Sequence, residues 1–129
     1  MKTNPFSSHE QALKLRALRT EILSSNIANA DTPNYKARDI DFASAYRQAG
    51  DNSLRLRTTR AGHQSGTSAN GMGADVKYRV PMQPSLDGNT VEADVEQTQF
   101  AENTVRYRAS LAFLSSRISG MRYAIKGGD

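Results

Sequence analysis

The sequence contains no cysteine, which excludes a disulfide framework and any thiolate metal site without excluding an oxidising compartment. Long apolar runs are missing as well. No stretch approaches the roughly 18 apolar residues that a membrane-spanning helix needs. Met1–Glu10 has no apolar core of the secretory kind, so a cleaved signal peptide is not expected. Apolar residues make up 37% of 129 and the mean hydropathy is −0.64, which is lean for a compact single-domain core. The formal charge of +4 and pI of 9.6 permit acidic partners such as nucleic acid or anionic lipid, and are equally usual for a soluble assembly protein.

Constellations of chemically active side chains are also missing. Asp39 and Asp41 stand two apart on a presumptive loop, where carboxylates are ordinarily solvated. His9 and His63 have no ligand partner at metal-binding spacing. Gly71-Met72-Gly73 lacks the third glycine and the following helix of a phosphate loop. Arg55, Arg57, Arg60, Lys77 and Arg79 could face phosphates, but no aromatic interleaving or groove-reading helix accompanies them. The pattern therefore predicts no enzyme, no cofactor, no metal and no nucleic-acid partner.

What the chain does have is helical rhythm. No proline or glycine falls between Val91 and Ser119. Within that run Tyr107, Leu111, Leu114, Ile118, Met121 and Ile125 recur at alternating steps of four and three, and Phe100 and Thr104 extend the line. That is the apolar seam of a helix packed lengthwise on another. Val91, Val95, Thr98, Val105, Ala109 and Ala112 read as a second line that widens it. A rod of this length, about 50 Å, cannot bury its stripe on itself and needs a partner helix from this chain or a neighbour. Asn89 and Thr90 suit its N-cap, with Glu92, Asp94 and Glu96 favoured by the helix dipole.

A first helix reads from about His9 to Ala30. Ser7 or Ser8 would cap it, with Glu10 at capping-box spacing. Leu15, Leu18 and Ile22 set its heptad rhythm, continued by Ser25 and Asn29 and flanked by Leu23, Ile27 and Ala30. Asn26 and Asn29 read either as ordinary helix-end residues or, for Asn29, as a seam polar residue that fixes register. Thr32-Pro33-Asn34-Tyr35 then stops the helix, because Pro33 forces Thr32 out of the helical region and Asn34 tolerates positive φ in the turn.

Between the helices the pattern weakens. Asp39–Tyr46 could form a short helical turn that Gly50-Asp51-Asn52 would break. Leu54–Arg57 and Val76–Val80 alternate as half-exposed strands of a small hairpin, and Ala61–Ala74 reads as a loop. The predicted organisation is mainly α. Residues 1–42 carry the first helix and turn, residues 43–88 an irregular or β-hairpin arm that protrudes, and residues 89–129 the second long helix. The two helices pair as an antiparallel coiled coil. Their thin core predicts that neighbouring subunits complete the fold.

Ser25-Asn26-Ile27-Ala28-Asn29-Ala30-Asp31-Thr32-Pro33-Asn34-Tyr35-Lys36 resembles the N-I-A-N-x-x-T-P-G-Y signature of the flagellar rod and hook protein family. It departs at Asn34, where that family usually has glycine. Ala37–Phe42, the short middle, Asp87–Glu92, Glu102-Asn103 and Tyr107 resemble its proximal-rod members more than the others. The resemblance implies a structural subunit of the bacterial flagellar basal body, built into the drive shaft between membrane ring and hook. It implies copies of itself, other rod proteins, a ring–rod adapter and the membrane ring as partners. It also implies passage through the flagellar type III export apparatus into the periplasmic space without a cleaved signal. Leu15, Leu18, Ile22, Ile27, Phe100, Tyr107, Leu111, Leu114 and Ile118 would form the packing and assembly surface. Asn26, Ile27, Asn29, Thr32, Pro33, Asn34 and Tyr35 would form the family turn. Another axial subunit of the same family is the nearer alternative, and a basic helical nucleic-acid-binding module is the alternative from a different class.

Overall fold

A computed structural model describes residues 6–54, 75–83 and 85–127. Helix α1 spans Ser7–Ala28, strand β1 Arg38–Ile40, helix α2 Phe42–Leu54, strand β2 Val76–Tyr78 and helix α3 Ala93–Ile125. The protein is mainly helical, with long terminal helices and a two-stranded sheet between them.

α1 and α3 run antiparallel. Asn26 meets Glu96 at 3.0 Å, Arg19 meets Gln99 at 2.8 Å and the Asn103 amide donates to the Arg16 carbonyl at 3.0 Å. The His9 and Phe113 rings lie 5.1 Å apart between centroids. One index rises as the other falls, so the pairing runs the whole length of α1. It ends there, because α3 is longer by its last three turns.

α1 is covered on two sides. Toward α3 it presents Arg16, Thr20, Leu23 and Asn26. On the other side Leu15, buried with Ile40 and Ala45, packs with Leu18, Ile22, Phe42, Tyr46 and Val76. Only Ser7, Glu10, Lys14, Ala17, Glu21, Ser24 and Ala28 keep a regular exposed stripe at steps of three and four. The Arg16 guanidinium lies 4.0 Å over the Phe42 ring, joining the two sides.

Several expectations change. The Ser7/Ser8 capping box does not form. α1 starts directly after Phe6 without a side-chain cap, and Glu10 pairs instead with Lys14 at 2.8 Å. The helix closes at Ala28, where the Asn29 N–H bonds back to Ser25 and Asn26. Gly50 does not break α2, which continues to Leu54. A helical glycine costs about 1 kcal/mol relative to alanine, and the packing of Phe42, Ala45 and Tyr46 on α1 outweighs it. The segment 42–50 therefore lies against α1 rather than protruding.

β2 pairs with β1. Arg38, Asp39 and Ile40 face Tyr78, Lys77 and Val76 in antiparallel register. Leu54 closes α2, while Arg55, Leu56, Arg57 and the Ala61–Ala74 segment lie outside the described residues. The register places Ile40 and Val76 on the same inward face, which is why so short a sheet persists: its apolar face is a wall of the α1–α2 core.

Leu15 is 2% exposed at the centre of that core. Leu15→Ala is expected to destabilise the chain by about 3 kcal/mol through lost burial and a residual cavity, read as a lower midpoint in urea unfolding. An unchanged midpoint would show that the α1–α2 core does not carry the fold.

Candidate functional site: the motif turn and the surface of the last helix

The turn that follows α1 is built by asparagines with different tasks. Asn26 is fully buried. Its Nδ2 donates to the Arg38 carbonyl at 2.6 Å and to Glu96 Oε2 at 3.0 Å, and its Oδ1 accepts the Arg38 N–H at 3.1 Å. The side chain thus replaces a strand partner for the start of β1. Asn29 acts locally: Nδ2 donates to the Ser25 carbonyl at 2.8 Å, and Oδ1 accepts from the Thr32 hydroxyl at 3.1 Å. Of the two readings left open for Asn29, the geometry gives the helix-end one. The buried polar group is Asn26, one turn earlier.

Asn34 takes a left-handed conformation, φ 62°, as the Thr32-Pro33-Asn34 sequence predicts. Its N–H bonds the Asp87 carbonyl at 2.9 Å. Gly88 sits against it at φ 75°. A Cβ on Gly88 would lie 2.5 Å from Asn34 Oδ1, so that side chain would have to move, and the positive φ itself favours glycine there. Tyr35 reaches Ser25 through its hydroxyl at 3.1 Å, and its carbonyl accepts the Thr90 N–H at 3.0 Å. Ile27 is half-buried, while Pro33 is exposed.

Asn89 and Thr90 do not cap α3, which begins at Ala93 after Glu92 without a side-chain cap. They clamp the turn instead. Asn89 Nδ2 lies within 3.0 Å of the carbonyls of Asn29, Ala30 and Thr32, three acceptors of the turn just beyond α1. The Thr90 hydroxyl accepts the Ala37 N–H at 2.8 Å. Residues nearly sixty positions apart in sequence are thereby fixed as one unit.

Beside this turn lies a charge network that joins α1, β1, the end of β2 and α3. Arg19 holds Asp39 with two bonds, Nε to Oδ1 at 2.9 Å and Nη2 to Oδ2 at 3.0 Å. Arg79 bridges Asp39 and the wholly buried Glu96. Two cations face two carboxylates, so the network is neutral. Burial pushes the Asp39 carboxyl up, but Arg19, the Ile40 N–H and Arg79 together hold it below its ordinary value. The hydrogen bonds that Arg19 donates to Asp39 in turn raise Arg19. Among the described residues no group of three or more His, Cys, Asp or Glu is placed to hold a metal ion.

The inward line on α3 is Glu96, Phe100, Asn103, Tyr107, Ser110 and Leu114, again at steps of four and three, with Glu96 and Asn103 buried and the rest half-buried. Phe100, Tyr107 and Leu114 were legible as seam residues. Glu96 and Asn103 share the rhythm but are polar, and reading only apolar residues misses them. The second line is covered only at its start: Val91 and Val95 are half-buried, whereas Thr98, Val105, Ala109 and Ala112 are exposed. Leu111 is 47% and Ile118 37% exposed. Met121 and Ile125 are exposed beyond them.

The sequence profile of the flagella basal body rod protein family matches residues 6–36, which covers α1 and the asparagine turn. The flagellar basal body rod protein FlgB of Cereibacter sphaeroides (strain ATCC 17029 / ATH 2.4.9) is 57% identical over 121 residues, covering 92% of this chain and 91% of its own length. FlgB of Escherichia coli K12 is 47% identical and that of Salmonella typhimurium LT2 46% identical. Each aligns over 126 residues, 93% of this chain and 91% of its own. The chain belongs to the flagellar basal-body rod protein family. This family is structural, not enzymatic. Its profile ends at Lys36, whose Nζ donates to the Gly88 carbonyl, one residue before Ala37 makes its bond to Thr90.

Asp39→Asn is expected to cost about 3 kcal/mol at neutral pH by leaving Arg19 and Arg79 without their shared acceptor charge. A depressed carboxyl stabilises the fold above its unfolded value and loses that contribution as pH falls. The gap between wild type and variant should therefore close as pH drops below the ordinary 3.8. Urea unfolding across that range checks this, and a gap independent of pH would contradict it.

Proposed function

We propose that the chain is a structural subunit of the proximal part of the flagellar rod, a section of the drive shaft between the membrane ring and the distal rod and hook. Its proposed neighbours are copies of itself, other rod proteins, and the ring–rod adapter and membrane ring at the base. It reaches the periplasmic space through the flagellar type III export apparatus, without a cleaved signal peptide. No helix among the described residues is long and apolar enough to cross a membrane.

The observation that carries this reading is the uneven cover of the two long helices. α1 is covered on two sides along its length, by α3 and by the α2–sheet core, whereas every residue of α3 from Ser115 to Ile125 is exposed. In this reading Leu15, Leu18, Ile22, Ile27, Phe100, Tyr107 and Leu114 hold the subunit's own fold. Leu111 and Ile118 belong to the surface offered to neighbours. The segments 1–42, 43–88 and 89–129 then act as one helical unit in which the turn fixes the angle of the rod-forming helices. Lateral and axial contacts between such units transmit torque.

The paired substitution Leu111→Asp with Ile118→Asp tests the division of labour. It should leave circular dichroism and urea stability within about 0.5 kcal/mol of wild type, as exposed sites do. In a strain lacking the chain, it should fail to restore basal-body rods and swimming. Full restoration would contradict an assembly role for this face.

A further inference from the structure

Charge is divided along α3 and its approach. From Ser85 to Glu102 the sequence has Asp87, Glu92, Asp94, Glu96 and Glu102 and no lysine or arginine. From Asn103 to Gly127 it has Arg106, Arg108, Arg117, Arg122 and Lys126 and no aspartate or glutamate. Some of these charges have local partners: Glu96 is held by Arg79, and Glu102 meets Arg106 at 2.7 Å. The helix dipole accounts for acids in the first turn and bases in the last. It does not account for Arg117, two turns from the end, or for Asp31, which the Asn89 clamp holds at the same end of the molecule as Asp94.

Each charged end also carries exposed apolar surface. Beyond the reach of α1, the stretch from Ser115 to Ile125 extends about 16 Å. It carries Ile118, Met121 and an 82% exposed Ile125 beside Arg117, Arg122 and Lys126. At the acidic end Met82 and Leu86 are exposed. A shallow groove of about 290 Å³, lined by Asp94, Val95, Thr98 and Gln99, opens on α3. Ser85 and the Asn89 N–H hold the nearby Asp87 carboxyl below its ordinary range.

We infer that the basic C-terminal half of α3 docks on the acidic end of a second copy of this chain, against the Asp31 turn and the Asp94–Gln99 groove. The inference rests on the assembly reading and gives it a partner and a polarity. The two surfaces are opposite in charge and alike in exposed apolar side chains, so a second copy supplies both halves of the match. They lie on different parts of the molecule. The contact is therefore heterologous: each bound copy still offers one free surface of each kind, and growth is open and directional. The charged part weakens with salt as screening shortens its range to roughly 10 Å or less, while the apolar part does not.

Reciprocal charge reversal tests the contact on the purified full chain by sedimentation velocity. Arg117→Glu with Arg122→Glu gives an acidic tail, and Asp31→Lys with Asp94→Lys gives a basic head. Circular dichroism should show both variants folded. Each alone should self-associate at least about tenfold more weakly than wild type, the scale of a like-charge clash across a contact. Mixing them should restore association, since acidic tail meets basic head and the wild-type surfaces meet each other. Association of either variant at wild-type strength would overturn the proposal, as would a mixture no stronger than its components. Wild-type binding to anionic phosphatidylserine vesicles without self-association would also overturn it, assigning the basic half to lipid. These outcomes are separate from restoration of rods in a strain lacking the chain. The contact can fail while the rod reading stands, and the reverse.

Discussion

Everything in this fold depends on bringing Glu96 inside without leaving its charge unpaired. The carboxylate is wholly buried, a position that costs several kcal/mol unless partners replace water. Arg79 and Asn26 replace it, and Arg79 is itself held by Asp39, which Arg19 grips with two bonds. The residues come from α1, β1, the end of β2 and α3, so none of these elements reaches its final position alone. Helix pairing and strand pairing become one event. A network of this kind adds little net stability over an apolar core, but it penalises the wrong register. If α3 slipped by one turn along α1, Glu96 would leave Arg79 and Asn103 would leave Arg16 and Thr20.

That constraint explains the division between inside and outside. Since the polar pairs set where α3 sits on α1, they also set how much of α3 is left over. Ile118, Met121 and Ile125 on its last three turns then stay exposed among the described residues. A short isolated helical stretch is marginal in water, so those turns gain from a neighbour what the first turns gain from α1. The asparagine turn sits at the opposite end, stiffened by Asn89, Thr90 and the fit of Gly88 against Asn34. A stiff end and an uncovered end suit a component that must transmit load.

The long helices were legible because spacing alone reveals them, and the turn because proline and a residue tolerant of positive φ leave little choice. The rest was hidden for physical reasons. Glu96 and Asn103 lie on the apolar rhythm, but a charged or amide side chain is ordinarily placed in water, and their partners come from distant segments. Asp39 looked like a solvated loop charge and Arg79 like a basic residue of a half-exposed strand, because nothing local pairs them. Gly50 suggested a break, yet tertiary packing of α2 on α1 overrode that preference. β1 has only Arg38–Ile40, too short for an alternating pattern to show, and its partner lies almost forty residues away. Asn89 and Thr90 have the chemistry of caps, but their side chains bond the backbone of the turn after α1, at Asn29, Ala30, Thr32 and Ala37, rather than capping α3.

Hydrogen exchange along α3, measured on the dilute chain and again in assembled rods, tests the central claim most directly. The account predicts protection of the amides from about Glu96 to Leu114 in the free chain and rapid exchange from Ser115 to Ile125, with protection of that second stretch appearing on assembly. Uniform exchange along all of α3 in the free chain would contradict it, because the polar seam would then not be holding the helices. Protection of the last turns before assembly would contradict it equally.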